Sequence, residues 1–292
     1  MDAIIAYVDG MEPNWRFLYN LHVGGMYFNE HRFTDYGTLR FVLRGISEHM
    51  KFIQRVFLIV SSIEQVPEYV NDNVIIVTHD QFIPTDFLPT FNANTIEAFL
   101  WNIPELSEEF IYFNDDMIPI GKTEYEDFFK NGLPCLNFRE EKTESDEFNS
   151  LLETDNMFAQ LFGTKEKIKY LWVHHIMTPF LKEKYRFAFI QNRDAIMAYL
   201  TPIRKGKQFS QHYFSNYFYY TDMYHNHLLN YIYINTKCEK DFFCETLSKN
   251  KSKQALCIND NGPFIGESIL STKNIIQTEL NKMLPNKSVY EK

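Results

Sequence analysis

Short apolar runs alternate with amphipathic stretches through the first 120 residues. Residues 3–8 (AIIAYV) are rich in β-formers and end at a turn signal, Asp9-Gly10. Residues 38–50 place Leu39, Val42, Leu43 and Ile46 at helical spacing. Two buried-strand runs follow, at 55–61 and 74–78, and then a helical pattern over 93–103 with Asn92 or Asn94 as its cap. Residues 110–113 (FIYF) run straight into Asn114-Asp115-Asp116. Alternation of this kind predicts an α/β fold, a mostly parallel sheet flanked by helices. The charged stretch 139–150 marks a lobe boundary or a mobile loop, and the pattern then turns helical at 151–162, 181–199 and 207–222. A last strand over 255–258 leads into Asn259-Asp260-Asn261-Gly262, and a short helix with a frayed polar tail is expected from Ser271. The expected organisation is a single unit over 1–292: an α/β core at 1–138, a mostly helical lobe at 151–254 and a return to the core at 255–270.

Composition narrows the classes. At roughly 150 residues per domain, the length allows two domains or one elaborated α/β unit. The 38 acidic and 29 basic groups leave a net charge of −9, and there is no Lys/Arg tract, so a nucleic-acid partner is not expected. No apolar run approaches the ~18 residues a spanning helix needs. The opening MDAIIAYVDG carries an early acid and only a short apolar run, unlike a signal peptide, so a cytoplasmic location is expected. Cys135, Cys238, Cys244 and Cys257 include no CxxC pair, which argues for reduced thiols and against a zinc site. Aromatic residues reach 16%, and many of them crowd into 213–233, where core packing is the plainer reading and a saccharide groove or exposed surface the sharper one.

Candidate chemistry lies at strand ends. Asp9, Asp115-Asp116 and Asp260 each follow a strand-like run, and in an open parallel sheet ligands bind beyond the carboxyl ends of the strands. Oxygen ligands without cysteine support suit Mg2+ or Mn2+, which would neutralise a diphosphate. A lone Asp-Asp pair is by itself as well explained by a solvated strand end. Glu97 has the default reading of a helix-surface residue. Arg40 and Arg44 either grip phosphates or form a solvated helix face with Glu48. His174-His175 offers a general base or phosphate contact. His225-x-His227 lacks a third ligand at metal spacing. The fingerprints GxxxxGK[ST], GxGxxG and GxSxG are absent.

The ordered set of motifs resembles the Stealth family. Tyr7-Val8-Asp9-Gly10 with the stretch from Arg32 to Arg44 (RFTDYGTLRFVLR) is similar to that family's opening block. The stretch 88–116, from Leu88-Pro89-Thr90-Phe91-Asn92 to Tyr112-Phe113-Asn114-Asp115-Asp116, is similar to its second block. His175 with Pro179 and the aromatic run 217–220 resembles the third, and Cys257-Ile258-Asn259-Asp260-Asn261 the fourth. Tyr7 stands where the family usually has Trp. Arg204 is the nearest match to a family arginine, but Gln208 and Gln211 stand where an acid is expected.

Stealth proteins are similar to the GlcNAc-1-phosphotransferase of lysosomal enzyme tagging and to bacterial capsular polysaccharide phosphotransferases. The resemblance implies a Rossmann-like or GT-A-like core. It implies transfer of a sugar 1-phosphate from a nucleotide diphosphate sugar, such as UDP-GlcNAc, to a hydroxyl of a saccharide acceptor. On that reading Asp116 holds the cation, assisted by Asp115 or Glu97. Asp9, Asn92 and Asn259 position the donor, and Arg40, Arg44 or Arg204 offset phosphate charge. His175 or Asp260 takes the acceptor proton. Peripheral contact with membrane-bound polysaccharide machinery is expected. The alternatives are a metal-dependent glycosyltransferase that releases nucleoside diphosphate, and a non-catalytic carbohydrate-binding protein.

Overall fold

The computed structural model describes residues 1–23, 33–203 and 208–292. The strands of its first half are β1 (Asp2–Ala6), β2 (Arg55–Val60), β3 (Val74–Thr78), β4 (Glu109–Asn114), β5 (Met117–Pro119), β6 (Phe129–Lys130), β7 (Leu133–Leu136) and β8 (Phe138–Glu140). Those of the second half are β9 (Leu171–Val173), β10 (Thr178–Leu181), β11 (His225–Asn226), β12 (Tyr231–Asn235) and β13 (Ala255–Asn259). The main sheet has the order β10-β4-β1-β2-β3, with β10 alone antiparallel. A smaller sheet has the order β12-β13-β5. Strand β1 sits at the centre, with Ala3, Ile4 and Ile5 wholly buried, as a strand covered on both faces requires.

The helices are α1 (Pro13–Val23), α2 (Leu39–His49), α3 (Ala93–Ala98), α4 (Asp146–Ala159), α5 (Lys182–Gln191), α6 (Arg193–Tyr199), α7 (Gln211–Tyr220), α8 (Lys240–Lys249) and α9 (Ile269–Met283). Small polar residues start several of them. Asn92 accepts the Asn94 N–H at α3, Ser145 the Phe148 N–H at α4, Ser210 the His212 N–H at α7 and Ser268 the Ser271 N–H at α9. No described helix is long and apolar enough to cross a membrane.

Helix α2 buries Leu39, Val42, Leu43 and Ile46 on the predicted face, and Gly45 lets it approach β5 closely. A Cβ at Gly45 would stand 2.2 Å from the carbonyl oxygen of Pro119. Backbone lies on both sides of that contact, so neither partner yields cheaply. Gly45→Ala is therefore expected to destabilise the fold by ~2 kcal/mol or more, read as a fall in the denaturation midpoint. An unchanged midpoint would show that α2 can shift away from β5.

Several expectations change. The helix expected over 93–103 ends at Ala98 and continues as a 3-10 turn, Leu100–Asn102. The span 181–199 is two helices, α5 and α6, broken at Asn192. The stretch 139–150 is structured at both ends: β8 pairs with β9, Asn149 and Thr143 bond each other, and α4 begins at Asp146.

The segment 151–254 is mostly helical and also carries strands. Strand β10 joins the main sheet and β12 pairs with β13, and one apolar core takes in both halves of the chain. The aromatic run builds that core. Tyr213, Phe214, Phe218 and Tyr220 are fully buried, and Phe214 stacks on Tyr185 with ring centroids 3.8 Å apart.

The tail expected to fray is also tied down. Glu291 bridges to Val70, and Lys292 N–H donates to the carbonyl of Tyr69.

Candidate active site

Strands β1 to β4 run parallel, so their C-terminal ends share one side of the sheet. The residues just past those ends wall a cavity of about 330 Å3: Tyr7 and Val8 after β1, Ser61 after β2, His79 after β3, and Asp115 and Asp116 after β4. Aromatic rings line the same cavity. Trp15 of α1 stands 4.8 Å from Phe33 and 5.3 Å from Phe91, centroid to centroid.

Two antiparallel pairings deliver the remaining groups. Strand β13 pairs with β5, Cys257 lies opposite Met117, and the Ile258 N–H donates to the Asp116 carbonyl at 3.0 Å. Asn259 and Asp260 thereby reach the cavity beside the aspartate pair. Because β10 runs against β4, the segment entering β10 lies at the C-terminal end of β4. His175 sits in that segment and places Nε2 3.8 Å from Asp116 Oδ2. His174 takes other partners, with Nδ1 2.7 Å from the Tyr231 hydroxyl and 3.1 Å from Arg139 Nε. Burial and the Arg139 charge bring His174 down to about 4, so it stays neutral. Of the two histidines, the one on the cavity is His175.

The carboxylates repel one another. Burial first, and then Asp116, Asp35 and Asp260, push Asp115 well above the usual carboxylate range. Asp260 is raised to about 7, mainly by burial, with Asp116 adding to it and the Gly262 N–H opposing. Burial disfavours the His175 imidazolium, but Asp116 and Glu97 outweigh it and hold His175 above its ordinary value. Asp116 Oδ1 is buried and has no hydrogen-bond partner among the described residues. A carboxylate oxygen left without a donor, next to a carboxylate raised by like charge, suits a bound cation. Asp115, Asp116 and Asp260 offer carboxylate oxygens, donors that hard divalent cations take.

Of the residues singled out from the sequence, Asn92, Asp115, Asp116, His175, Asn259 and Asp260 all line the cavity. Asn92 is also tied from behind: its Nδ2 donates to the Thr201 carbonyl and to Gln208 Oε1, and Asn94 Nδ2 donates to the same Gln208 oxygen. The amide of Gln208 thus does an acceptor's work without a charge.

The structure places the other residues singled out from the sequence elsewhere. Glu97 is buried behind the wall, where the Tyr112 hydroxyl donates to its Oε1 at 3.0 Å and the Tyr185 hydroxyl to its backbone oxygen at 2.8 Å. Its charge adds to the field at His175. Asp9 belongs to the turn after β1: its Oδ1 accepts the Met11 N–H, and Gln65 bonds its backbone on both sides. Arg44 is held by Glu291, Asn281 and the Leu284 carbonyl. Arg40 lies over the Tyr69 ring, with Nε 3.5 Å from Glu291. Both arginines face a buried carboxylate far along the chain. Arg204 lies outside the described residues.

Sequence reasoning passed over three groups. Asp35 adds to the acidic field and pairs with Lys273 at 3.0 Å. It lies inside the stretch from Arg32 to Arg44 but looks like any loop acid. Burial brings His79, on the cavity wall, down to about 4. Nothing in its local sequence separates it from a structural histidine. Cys257 is fully buried, and its Sγ lies 3.6 Å from Asp116 Oδ2.

The family model described as Stealth protein CR2, conserved region 2, matches residues 32–135. The chain is 28% identical over 218 residues to the capsular polysaccharide phosphotransferase cps12A of Actinobacillus pleuropneumoniae, covering 68% of this chain and 58% of that protein. With the capsular polysaccharide phosphotransferase eps5J of Streptococcus thermophilus the identity is 37% over 145 residues, 47% of this chain and 60% of that one. The receptor polysaccharide phosphotransferase WefC of Streptococcus oralis is 32% identical over 147 residues, 47% of this chain and 44% of that one. The chain thus spans at most three fifths of the length of these relatives. Among solved structures, the galactosyltransferase LgtC, in complex with donor and acceptor sugar analogs, aligns with a TM-score of 0.45 at 10% identity, over 98% of this chain and 97% of that one. The matched region carries Asp35, Asn92, Asp115 and Asp116, the acidic wall and its amide support, and over that stretch the chain is similar to conserved region 2 of Stealth proteins.

Proposed function

We propose that this chain transfers a sugar 1-phosphate from a nucleoside diphosphate sugar to a hydroxyl of a saccharide, in capsular or other surface polysaccharide synthesis. The observation that carries the reading is the meeting of Asp115, Asp116, Asp260 and His175 in one cavity that aromatic rings also line. The relatives named as polysaccharide phosphotransferases support it.

Asp116, with Asp115 beside it, would hold Mg2+ or Mn2+, and that ion would neutralise the diphosphate and the leaving phosphate. The chain's own groups do the rest. Trp15, Phe33 and Phe91 offer apolar faces to a base or sugar ring. Asn92 and Asn259 present amides that orient the donor. The acceptor oxygen attacks the phosphorus bearing the sugar, and the bond from that phosphorus to the bridging oxygen breaks. Nucleoside monophosphate leaves, and a phosphodiester forms. The proton lost by the acceptor passes to His175 Nε2, which lies beside Asp116. Positioning and charge stabilisation carry most of such a transfer. On this reading the protein works in the cytoplasm, in peripheral contact with membrane-bound polysaccharide machinery.

Phosphorus NMR tests the reaction. Incubation with UDP-sugars, Mg2+ or Mn2+ and a saccharide acceptor should give nucleoside monophosphate and a phosphodiester resonance. Nucleoside diphosphate as the product would instead mean glycosyl transfer. No turnover with any donor would leave a binding protein.

The ion has a second signature, in stability. A carboxylate raised in the folded state keeps its proton there at pH values where the unfolded chain has lost it. For Asp260 that window runs from the ordinary 3.8 to about 7, and stability falls as pH rises through it. Mn2+ is therefore expected to raise the melting temperature more at pH 8, where Asp260 is ionised, than at pH 5. Equal shifts at both pH values would remove the ion from this cluster.

A further inference from the structure

We infer that Asp116, His175 and Cys257 form a second kind of metal site, one for a thiophilic ion such as Zn2+, whose occupation blocks the transfer. The three residues come from separate elements: the β4–β5 turn, the segment ahead of β10, and β13. Their donor atoms all lie within 4.8 Å of one another. Asp116 Oδ2 is 3.8 Å from His175 Nε2 and 3.6 Å from Cys257 Sγ. In a tetrahedral zinc site with usual bond lengths, ligand atoms stand about 3.3–3.6 Å apart. The two distances to Asp116 need to close by at most a few tenths of an ångström, and His175 and Cys257 start within 4.8 Å of each other.

The donor chemistry separates this site from the Mg2+ or Mn2+ position. One carboxylate, one imidazole and one thiol make a mixed O, N, S set, which hard cations disfavour and zinc accepts. Asp116 and His175 also line the cavity, so a fourth position is open there to water or a phosphoryl oxygen. Binding forms a sulfur–metal bond as the Cys257 thiol proton passes to solvent, with no change of oxidation state. The absence of a CxxC pair hides the site from a sequence search, because its ligands are brought together by strand pairing.

The binding site stands on geometry alone; its inhibitory effect rests on the proposed transfer, because zinc would take both Asp116 oxygen and His175 Nε2. Cobalt is the probe. The full chain, reduced and metal-free, is titrated with Co2+ without oxygen. One equivalent should give strong visible bands of a tetrahedral ion and a near-ultraviolet sulfur-to-cobalt band, both removed by Zn2+. Cys257→Ser keeps Cys135, Cys238 and Cys244 and should lose the sulfur band. His175→Gln should keep the band but weaken cobalt binding at least ~10-fold. In the transfer assay, Cys257→Ser should raise the zinc concentration for half-inhibition by at least ~10-fold.

No sulfur band in the wild-type protein, or the same band in folded Cys257→Ser, overturns the site. Should Cys257→Ser not fold by circular dichroism, His175→Gln and Asp116→Asn decide. Both keep the thiol, and unchanged cobalt affinity in both overturns the site. A Cys257-dependent band in a protein that transfers nothing would support the site and sink the transferase reading alone.

Discussion

Asp116→Asn is expected to cut sugar-phosphate transfer at least ~1000-fold, about 4 kcal/mol of transition-state stabilisation. The change is nearly isosteric, so the fold stays. Its backbone carbonyl still accepts the Ile258 N–H, and the apolar residues of β4 and β13 are untouched. What goes is the carboxylate nearest His175 and the buried Oδ1 that lacks a donor. The substitution also relieves like charge on Asp115, since Asp116 is the leading charge that raises it. The metal-free variant should therefore melt no lower than the wild type, and Mn2+ should no longer raise its melting temperature. Loss of activity with stability kept is the pattern of a functional group held at a structural disadvantage. Turnover within tenfold of wild type by phosphorus NMR would remove Asp116 from the chemistry.

Arg44→Ala has the second largest expected effect, and it falls on stability. The Glu291 side chain is 3% exposed, and Arg44 meets it with Nε and a terminal nitrogen at 3.0 and 3.2 Å. Removing the arginine leaves a buried carboxylate facing only Arg40, at 3.5 Å, and the groups around Ser288. Breaking a buried pair from one side costs about 3–5 kcal/mol, and a denaturant titration should show a loss near the low end of that range. Glu291→Gln in the same background should recover part of it. KM for the donor should stay within twofold at temperatures where the variant is folded. A raised KM at unchanged stability would restore the phosphate-gripping role that the sequence suggests for Arg44.

The contrast between these two residues shows what sequence can carry. The strands after which ligands gather were legible as short apolar runs, because a parallel sheet buries both faces of each strand. Asp115 and Asp116 follow directly from the end of such a run. His175 was legible only as one of a pair, since adjacent residues differ in partners that lie far away in sequence. Strand β10, which delivers it, is four residues long and carries no measurable period. Arg40 and Arg44 looked like a phosphate grip because Glu291, which occupies them, lies almost 250 positions downstream. Cys257 looked inert for the same reason: its neighbour Asp116 arrives by β5–β13 pairing and not by spacing.

The central place of β1 has a consequence for synthesis on the ribosome. Its two partners are β2 and β4, with Asp2 paired to Arg55 on one side and to Phe110 on the other. The apolar strand is made before both of its partners and has no edge to rest on until β2 emerges. It stays half-paired until β4 has cleared the exit tunnel. Long-range parallel pairing of this kind is slow and leaves apolar surface open to wrong partners. Slower translation or co-expressed chaperones should raise the soluble yield of this protein, because they protect the strand during that wait.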